Sequence, residues 1–119
     1  MADAREVPAS GGRSGDGGHS VWIEAEEWGQ AWDPRDEASD VIVTLPSGER
    51  WIASFVAYGH VATLVKRNRE SGACLGGVYL WASDLILVEE ITRPTIEAVV
   101  ADLMRDGGFE EAFTAYEGE

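Results

Sequence analysis

SDVIVTLPSGERWIASFVAY, the stretch from Ser39 to Tyr58, decides the fold. Two apolar runs rich in β-branched and aromatic residues, Val41–Leu45 and Trp51–Tyr58, flank the polar sequence Pro46–Glu49. Strand-forming runs joined by a short loop that contains glycine are typical of a β-hairpin. The second run carries apolar residues on both of its alternating faces, which indicates a central strand covered on both sides. The other elements are expected to pack on this hairpin or to extend it.

The segments before the hairpin are a strand, a loop and a tail. Alternation of apolar and polar residues predicts a strand over Ser20–Trp28. The composition of Gly29–Asp40, with Asp-Pro and many carboxylates, predicts a loop. Residues 1–19 are rich in Gly, Ala, Ser and charge and show no periodicity, so we expect a disordered tail there. The single folded domain is then expected to span residues 20–119.

After the hairpin, a helix and more strand are predicted. Apolar residues at helical spacing predict a helix over His60–Arg69 that ends near Gly72. Val78–Trp81 and Leu85–Glu89 have strand composition. Between them, Ala82–Asp84 is either a tight turn, which would make a second hairpin, or a bulge in one long strand; the turn is slightly favoured.

The C-terminal part of the chain predicts two helices. An apolar stripe at positions i, i+3, i+4, i+7 and i+8 predicts a helix over Pro94–Asp106, with Thr92 or Arg93 as its cap. A shorter helix is expected over Phe109–Tyr116. The order of elements therefore predicts an α+β domain, with a mainly antiparallel sheet of four to five strands and two to three helices packed on it.

The charge balance is the most unusual feature of the composition. The chain has 22 Asp and Glu against 9 Lys and Arg, a formal net charge of −13. A field of this sign repels nucleic-acid phosphates and attracts cationic proteins, so direct binding of DNA or RNA is not expected. Lys66, Arg67 and Arg69 form a basic cluster near the end of a predicted helix, where cations complement the helix dipole. High solubility alone would also account for the acidity.

Cysteine content and hydropathy restrict the compartment. Cys74 is the only cysteine, which excludes an intramolecular disulfide and a cysteine-rich zinc site. No apolar run approaches the length of a membrane span, and the first residues do not resemble a signal peptide. The sequence therefore predicts a cytoplasmic protein without membrane association.

Neither catalysis nor metal binding is predicted. His19 and His60 are the only histidines, and no serine or cysteine stands in a nucleophile motif with them. The acidic spacing in Asp33–Asp40 lacks the pattern of a calcium-binding loop and includes Pro34. We therefore expect no catalytic residue, no metal ligand and no cofactor.

Tryptophan and carboxylate side chains are concentrated in residues 22–40, the acidic tryptophan segment, which contains the candidate partner-binding site. Trp residues anchor many protein interfaces, and carboxylates steer a cationic partner towards them. The candidate residues are Glu26, Trp28, Trp32, Asp33, Asp36 and Glu37. The alternative is that all five tryptophans of the chain fill the core. Trp51 and Trp81 are assigned to the core.

Three pieces of sequence resemble those of small bacterial proteins of the toxin-immunity kind. They are SDVIVTLPSGERWIASFVAY, YLWASDLILVEEIT and IEAVVADLMRDGGFEEAF, within the run from Trp22 to Phe113. Immunity proteins are small and often acidic, and they act by plugging or masking a secreted toxin. The resemblance implies such a role here, and it assigns no residue a function.

Three hypotheses follow. The first is a non-enzymatic binding protein that occludes a cationic protein, such as a toxin. The second is a phage or mobile-element inhibitor that mimics nucleic-acid charge and blocks a DNA-binding protein. The third is a small-ligand or enzyme domain with a pocket around Trp51, Trp81 and Asp84. A homodimer is also compatible with the sequence, because the central strand is apolar on both faces.

Overall fold

The computed structural model describes residues 18–117. Its helices and strands follow in chain order as β1 (Ser20–Ile23), a 3₁₀ helix (Glu24–Glu27), β2 (Ala38–Thr44), β3 (Arg50–Ala57), α1 (Tyr58–Ser71), a short helical turn (Ala73–Gly77), β4 (Leu85–Val88), α2 (Arg93–Asp106), α3 (Phe109–Ala112) and β5 (Thr114–Ala115). This confirms the predicted α+β fold with a mainly antiparallel sheet. Residues 1–17 of the predicted tail lie outside the described residues. His19, which precedes β1, is buried.

The predicted hairpin is present and forms the centre of the sheet. β2 and β3 pair antiparallel from Ala38 opposite Val56 to Thr44 opposite Arg50. The amide of Leu45 donates to the carbonyl of Glu49 (2.9 Å) and closes the loop between them. β1 then pairs antiparallel with the outer edge of β2. This part of the sheet follows directly from the alternating sequence.

The second edge of β3 is shared by two strands. β5 pairs antiparallel with the start of β3, through Trp51 and Ile52. β4 pairs parallel with its end, from Ser54 opposite Leu85 to Ala57 opposite Val88. The parallel pair arises because the chain passes through α1 before it returns to the sheet as β4, and parallel strands need a crossover of this kind.

The core lies between one face of the sheet and the helices α2 and α3. Its fully buried side chains come mainly from alternate positions of the strands and from one stripe of α2. The largest are Phe55, Phe113, Ile23, Ile91, Ile96, Val21, Val41, Val43 and Val100. Phe113 stacks on Phe109 with 4.6 Å between ring centroids and meets Phe55 edge-on at 6.1 Å. These rings fasten the C-terminal end of the chain to the central strand.

Two predicted helices are confirmed with their end signals. α1 ends at Gly72, whose φ of +88° is a left-handed conformation that a glycine adopts at little cost. Thr92 caps α2, and its hydroxyl accepts a hydrogen bond from the amide of Thr95. Pro94 lies in the first turn of α2, where its missing N–H is not needed.

Two predicted elements are shorter in the structure. The strand predicted over Ser20–Trp28 ends at Ile23, because the chain turns into the 3₁₀ helix. The helix predicted over Phe109–Tyr116 ends at Ala112, because Thr114 and Ala115 pair with β3 instead. In both cases, contacts with the sheet override the local pattern.

The prediction for Val78–Trp81 was wrong, because this segment is not a strand. Ser83 and Asp84 do form a turn, but β4 leaves it to pair with β3, so there is no second hairpin. Trp81 is 74% exposed, which contradicts its assignment to the core. Trp51 does pack against the core, with its ring 5.7 Å from that of Phe109.

Replacing Phe113 with Ala is expected to lower the free energy of unfolding by about 3–5 kcal/mol, because it removes a buried ring from the aromatic cluster. The matched aromatic variant Trp81→Ala is expected to change it by no more than about 0.5 kcal/mol, because that side chain is largely exposed. Urea unfolding followed by far-UV circular dichroism measures both values. Equal losses for the two variants would contradict this placement of the core.

Candidate functional site

The two candidate tryptophans pack against the core of the protein. Trp28 and Trp32 meet edge to face with 5.9 Å between their centroids, and both contact the hydrophobic cluster. The indole N–H of Trp32 donates to the carbonyl of Ile91 at 2.9 Å. The pair therefore attaches the loop after the 3₁₀ helix to the segment that leads into α2.

Glu26 forms an ion pair with α2. Its carboxylate accepts two hydrogen bonds from Arg93, at 2.8 and 2.9 Å, so the contact is bidentate. Arg93 also donates to Glu97 at 2.6 Å and to the carbonyl of Val21 at 3.0 Å. The hydrogen bonds that Arg93 donates to Glu26 raise the pKa of Arg93 above its ordinary value. Arg93 therefore connects the start of α2 to the 3₁₀ helix and to the edge strand β1.

The other three candidate carboxylates hold the loop before β2. Asp33 accepts a hydrogen bond from the amide of Arg35 (3.0 Å), and Glu37 accepts one from the amide of Ala38 (3.2 Å). Asp36 accepts a hydrogen bond from Nδ1 of buried His60 at 2.7 Å and one from the hydroxyl of Thr63 at 2.9 Å. Asp36 therefore joins the loop to α1.

The sequence of α1 allows this loop to approach closely. A Cβ atom on Gly59 would lie 2.5 Å from the carbonyl oxygen of Arg35, so no larger residue fits at this position without a shift. The contact brings Asp36 within reach of His60 and Thr63, one turn apart on α1. All six candidate residues thus make contacts within the protein, while Glu26 and Asp33 are also exposed to solvent.

A second surface was missed by the sequence prediction. Among the described residues, the large apolar side chains that are exposed all belong to positions 58–87, and they are Tyr58, Leu75, Val78, Tyr79, Trp81, Leu85 and Leu87. We call residues 75–87, which carry six of the seven, the apolar segment. Sequence reasoning assigned most of this segment to strand, because apolar runs with β-branched and aromatic residues are typical of buried strands.

The apolar segment begins in a strained turn. Cys74, Leu75 and Gly76 have positive φ values of 52°, 56° and 68°, so three successive residues adopt the left-handed conformation. This conformation is unfavourable for residues with a Cβ atom, and Leu75 is also 74% exposed. Asp84, just before β4, has a φ of 50° as well. Strain of this kind is concentrated at functional sites in many proteins.

A groove of about 400 Å³ lies where β4 meets α2. Its apolar walls include Tyr58, Leu87, Val99 and Leu103, and the carboxylates of Glu89 and Asp102 also line it. The groove therefore combines apolar surface with two acidic groups. It was not predicted, because the proximity of β4 and α2 depends on the parallel crossover that the sequence did not reveal.

The chain matches no protein-family model, no curated protein and no solved structure. Within residues 18–117, no helix is both long and apolar enough to cross a membrane. In the same part of the chain, no group of three or more His, Cys, Asp or Glu side chains is placed to hold a metal ion.

Two hydrogen bonds hold the pKa of Asp36 below its ordinary value of 3.8. The one from His60 has the larger effect and the one from Thr63 the next largest. The carboxylate of Asp36 therefore stabilises the fold above about pH 4, and this contribution is lost as the pH falls through the lowered pKa. Thr63→Val is expected to raise the pKa of Asp36 towards 3.8, because it removes one donor. Carbon-13 NMR titration of the carboxyl group measures the pKa. Thr114→Val is the control and should leave the pKa of Asp36 unchanged. An unchanged pKa of Asp36 in Thr63→Val as well would contradict the role assigned to this hydrogen bond.

Proposed function

We propose that this is a non-enzymatic binding protein that docks a cationic protein on the apolar segment. The observation that carries the proposal is the confinement of exposed large apolar side chains to positions 58–87 in the described part of the chain. Single exposed apolar residues are common on protein surfaces, but a concentration of them marks many interaction sites. Burial of such side chains by a partner would remove them from water.

The chemistry of the apolar segment suits a protein interface. Tyr79 and Trp81 are large side chains with one polar group each, and residues of these types contribute a large share of binding energy at many interfaces. Four further side chains add apolar area: Leu75, Val78, Leu85 and Leu87. The strained turn at Cys74–Gly76 holds part of this area in the solvent.

The charge of the protein supports a cationic partner. The net charge of −13 would raise the rate of encounter with a positively charged surface at low salt. Acidic residues flank β4 at the end of the apolar segment, with Asp84 before the strand and Glu89 and Glu90 after it. An interface with an apolar centre and an acidic surround is complementary to a basic one.

The acidic tryptophan segment is a second candidate surface. Glu26 and Asp33 are exposed there and can contribute to steering. However, Trp28 and Trp32 pack against the core, and Asp36 is bound to His60 and Thr63. Because anchors of an interface need accessible area, we favour the apolar segment as the docking surface.

The resemblance to toxin-immunity proteins suggests that the partner is a toxin that this protein occludes. A DNA-binding protein blocked by an acidic inhibitor has the same surface chemistry. The two possibilities therefore make the same prediction for this chain, and the identity of the bound protein distinguishes them.

The double variant Tyr79→Ser, Trp81→Ser is expected to weaken the complex at least tenfold, because it removes two aromatic anchors, each of which contributes about 1–2 kcal/mol. Immobilised wild-type protein should first retain one cationic protein stoichiometrically from a lysate of the native organism. Titration of that purified protein against each variant, by calorimetry, then gives the change in affinity.

Glu49→Ser, in the exposed loop between β2 and β3, is the matched surface control and should bind as the wild type does. Circular dichroism verifies that each variant is folded. Unchanged affinity of the folded double variant would exclude the apolar segment as the docking surface. An association rate that does not fall with added salt would exclude electrostatic steering.

A further inference from the structure

The outer edge of β4 has hydrogen-bonding groups that no strand of the described residues uses. β4 is the last strand on its side of the sheet. The amide of Ser54 donates to the carbonyl of Asp84 (2.9 Å), so the carbonyl group of Asp84 points towards β3. Because successive residues of a strand point their backbone groups to opposite edges, Ile86 and Val88 face β3. The N–H and C=O groups of Leu85 and Leu87 therefore point outwards.

The groove continues from this edge. It lies between β4 and α2, and its apolar lining is formed by Tyr58, Leu87, Val99 and Leu103. An extended peptide beside β4 would place alternate side chains into the groove. A free strand edge next to a helix is a recurring arrangement for binding a peptide by strand addition.

The edge strand on the other side of the sheet is different. At β1, the guanidinium group of Arg93 donates to the carbonyl of Val21 and pairs with Glu26 and Glu97. Charged side chains on an edge discourage the addition of a further strand. β4, with the sequence Leu-Ile-Leu-Val, has no charge or proline within it. Of the two edges, β4 is therefore the one suited to strand addition.

The charges at the ends of β4 indicate what kind of strand fits. Asp84 precedes the strand, and Glu89 and Glu90 follow it. Among the described residues, Glu89 has no ion-pair partner. Antiparallel pairing of two copies of β4 with Leu87 opposite Leu87 would set Asp84 of each copy opposite Glu90 of the other. Like charges opposite each other destabilise a sheet, whereas lysine or arginine at these positions would stabilise it.

We propose that β4 accepts an extended segment of the partner as an additional strand, with apolar side chains in the groove and basic side chains next to Asp84, Glu89 and Asp102. This inference rests on the proposed function and defines the binding mode for the cationic protein. The main-chain hydrogen bonds of Leu85 and Leu87 provide a contact that does not depend on the side chains of the partner's segment. The groove and the carboxylates select the partner's residues.

The test uses a synthetic eight-residue peptide in which Val or Ile alternates with Lys or Arg. Nitrogen-15 NMR of the full chain follows binding and the exchange of individual amide protons. We expect the amides of Leu85 and Leu87 to become protected at a peptide concentration of about 1 mM or below, the Kd of an interaction worth about 4 kcal/mol. A peptide with Glu in place of Lys and Arg should bind at least tenfold more weakly, and so should one N-methylated along its backbone.

Leu87→Pro is the decisive variant. It removes the outward N–H but none of the hydrogen bonds to β3, since proline is tolerated at such positions of edge strands. Leu87→Ala is its control, because it shortens the same side chain and keeps the N–H. Binding should fall at least tenfold further in Leu87→Pro than in Leu87→Ala, while the melting temperatures of the two variants show that both fold.

Three results would overturn the proposal: no binding of the basic peptide, binding without protection of Leu85 and Leu87, or equal affinity of the two Leu87 variants. Sedimentation of the protein alone tests a second copy as occupant, and a dimer dissociated by Leu87→Pro would also overturn it. The experiments distinguish a failure of the strand-addition proposal from a failure of the proposed function. A natural partner whose affinity depends on Tyr79 and Trp81 but not on the Leu87 N–H would refute strand addition alone.

Discussion

The division of one edge of β3 between two strands determines the rest of the structure. A strand has two edges of hydrogen-bonding groups, and one edge of β3 pairs with β2 from Arg50 to Val56. The other edge is divided, with β5 at its start and β4 at its end. Because β4 is a short strand on the outside of this arrangement, the sheet ends there, and the outer edge of β4 remains without a strand partner in the described part of the chain.

The same division accounts for the position of the helices and of the apolar segment. β5 can reach β3 only because Phe109 and Phe113 fix α3 and the following residues on the core. β4 can reach β3 only after α1 and the strained turn have reversed the chain. The connection that leads into β4 therefore passes outside the core and exposes Val78, Tyr79 and Trp81. A surface available for binding is thus a consequence of the parallel crossover.

Local patterns predicted the elements that depend on neighbours in the sequence. The hairpin around Gly48, the end of α1 at Gly72 and the capping of α2 at Thr92 were all expected, because turn and cap preferences act over a few residues. The parallel pairing of β4 and the exposure of Trp81 were not. Both depend on contacts between residues far apart in the sequence, and an apolar run has the same composition whether it is buried or exposed.

The candidate site shows the same limit. Composition identified an acidic protein with clustered tryptophans, and that chemistry still supports the search for a cationic partner. It did not reveal that Trp32 donates to Ile91, that Glu26 binds Arg93 or that Asp36 binds His60. Each of these contacts joins the acidic segment to a distant part of the chain. Through these contacts the acidic tryptophan segment helps to hold the fold together. The exposed large apolar side chains lie between positions 58 and 87.

The most direct test of the account is to map the interface with the purified partner by backbone amide NMR. If the apolar segment is the docking surface, the largest chemical-shift changes will fall on residues 75–89 and on the part of α2 that lines the groove. Residues 26–37 will change little. Large changes confined to Trp28, Trp32 and their acidic neighbours, with residues 75–89 unaffected, would contradict the account and would return the interface to the acidic tryptophan segment.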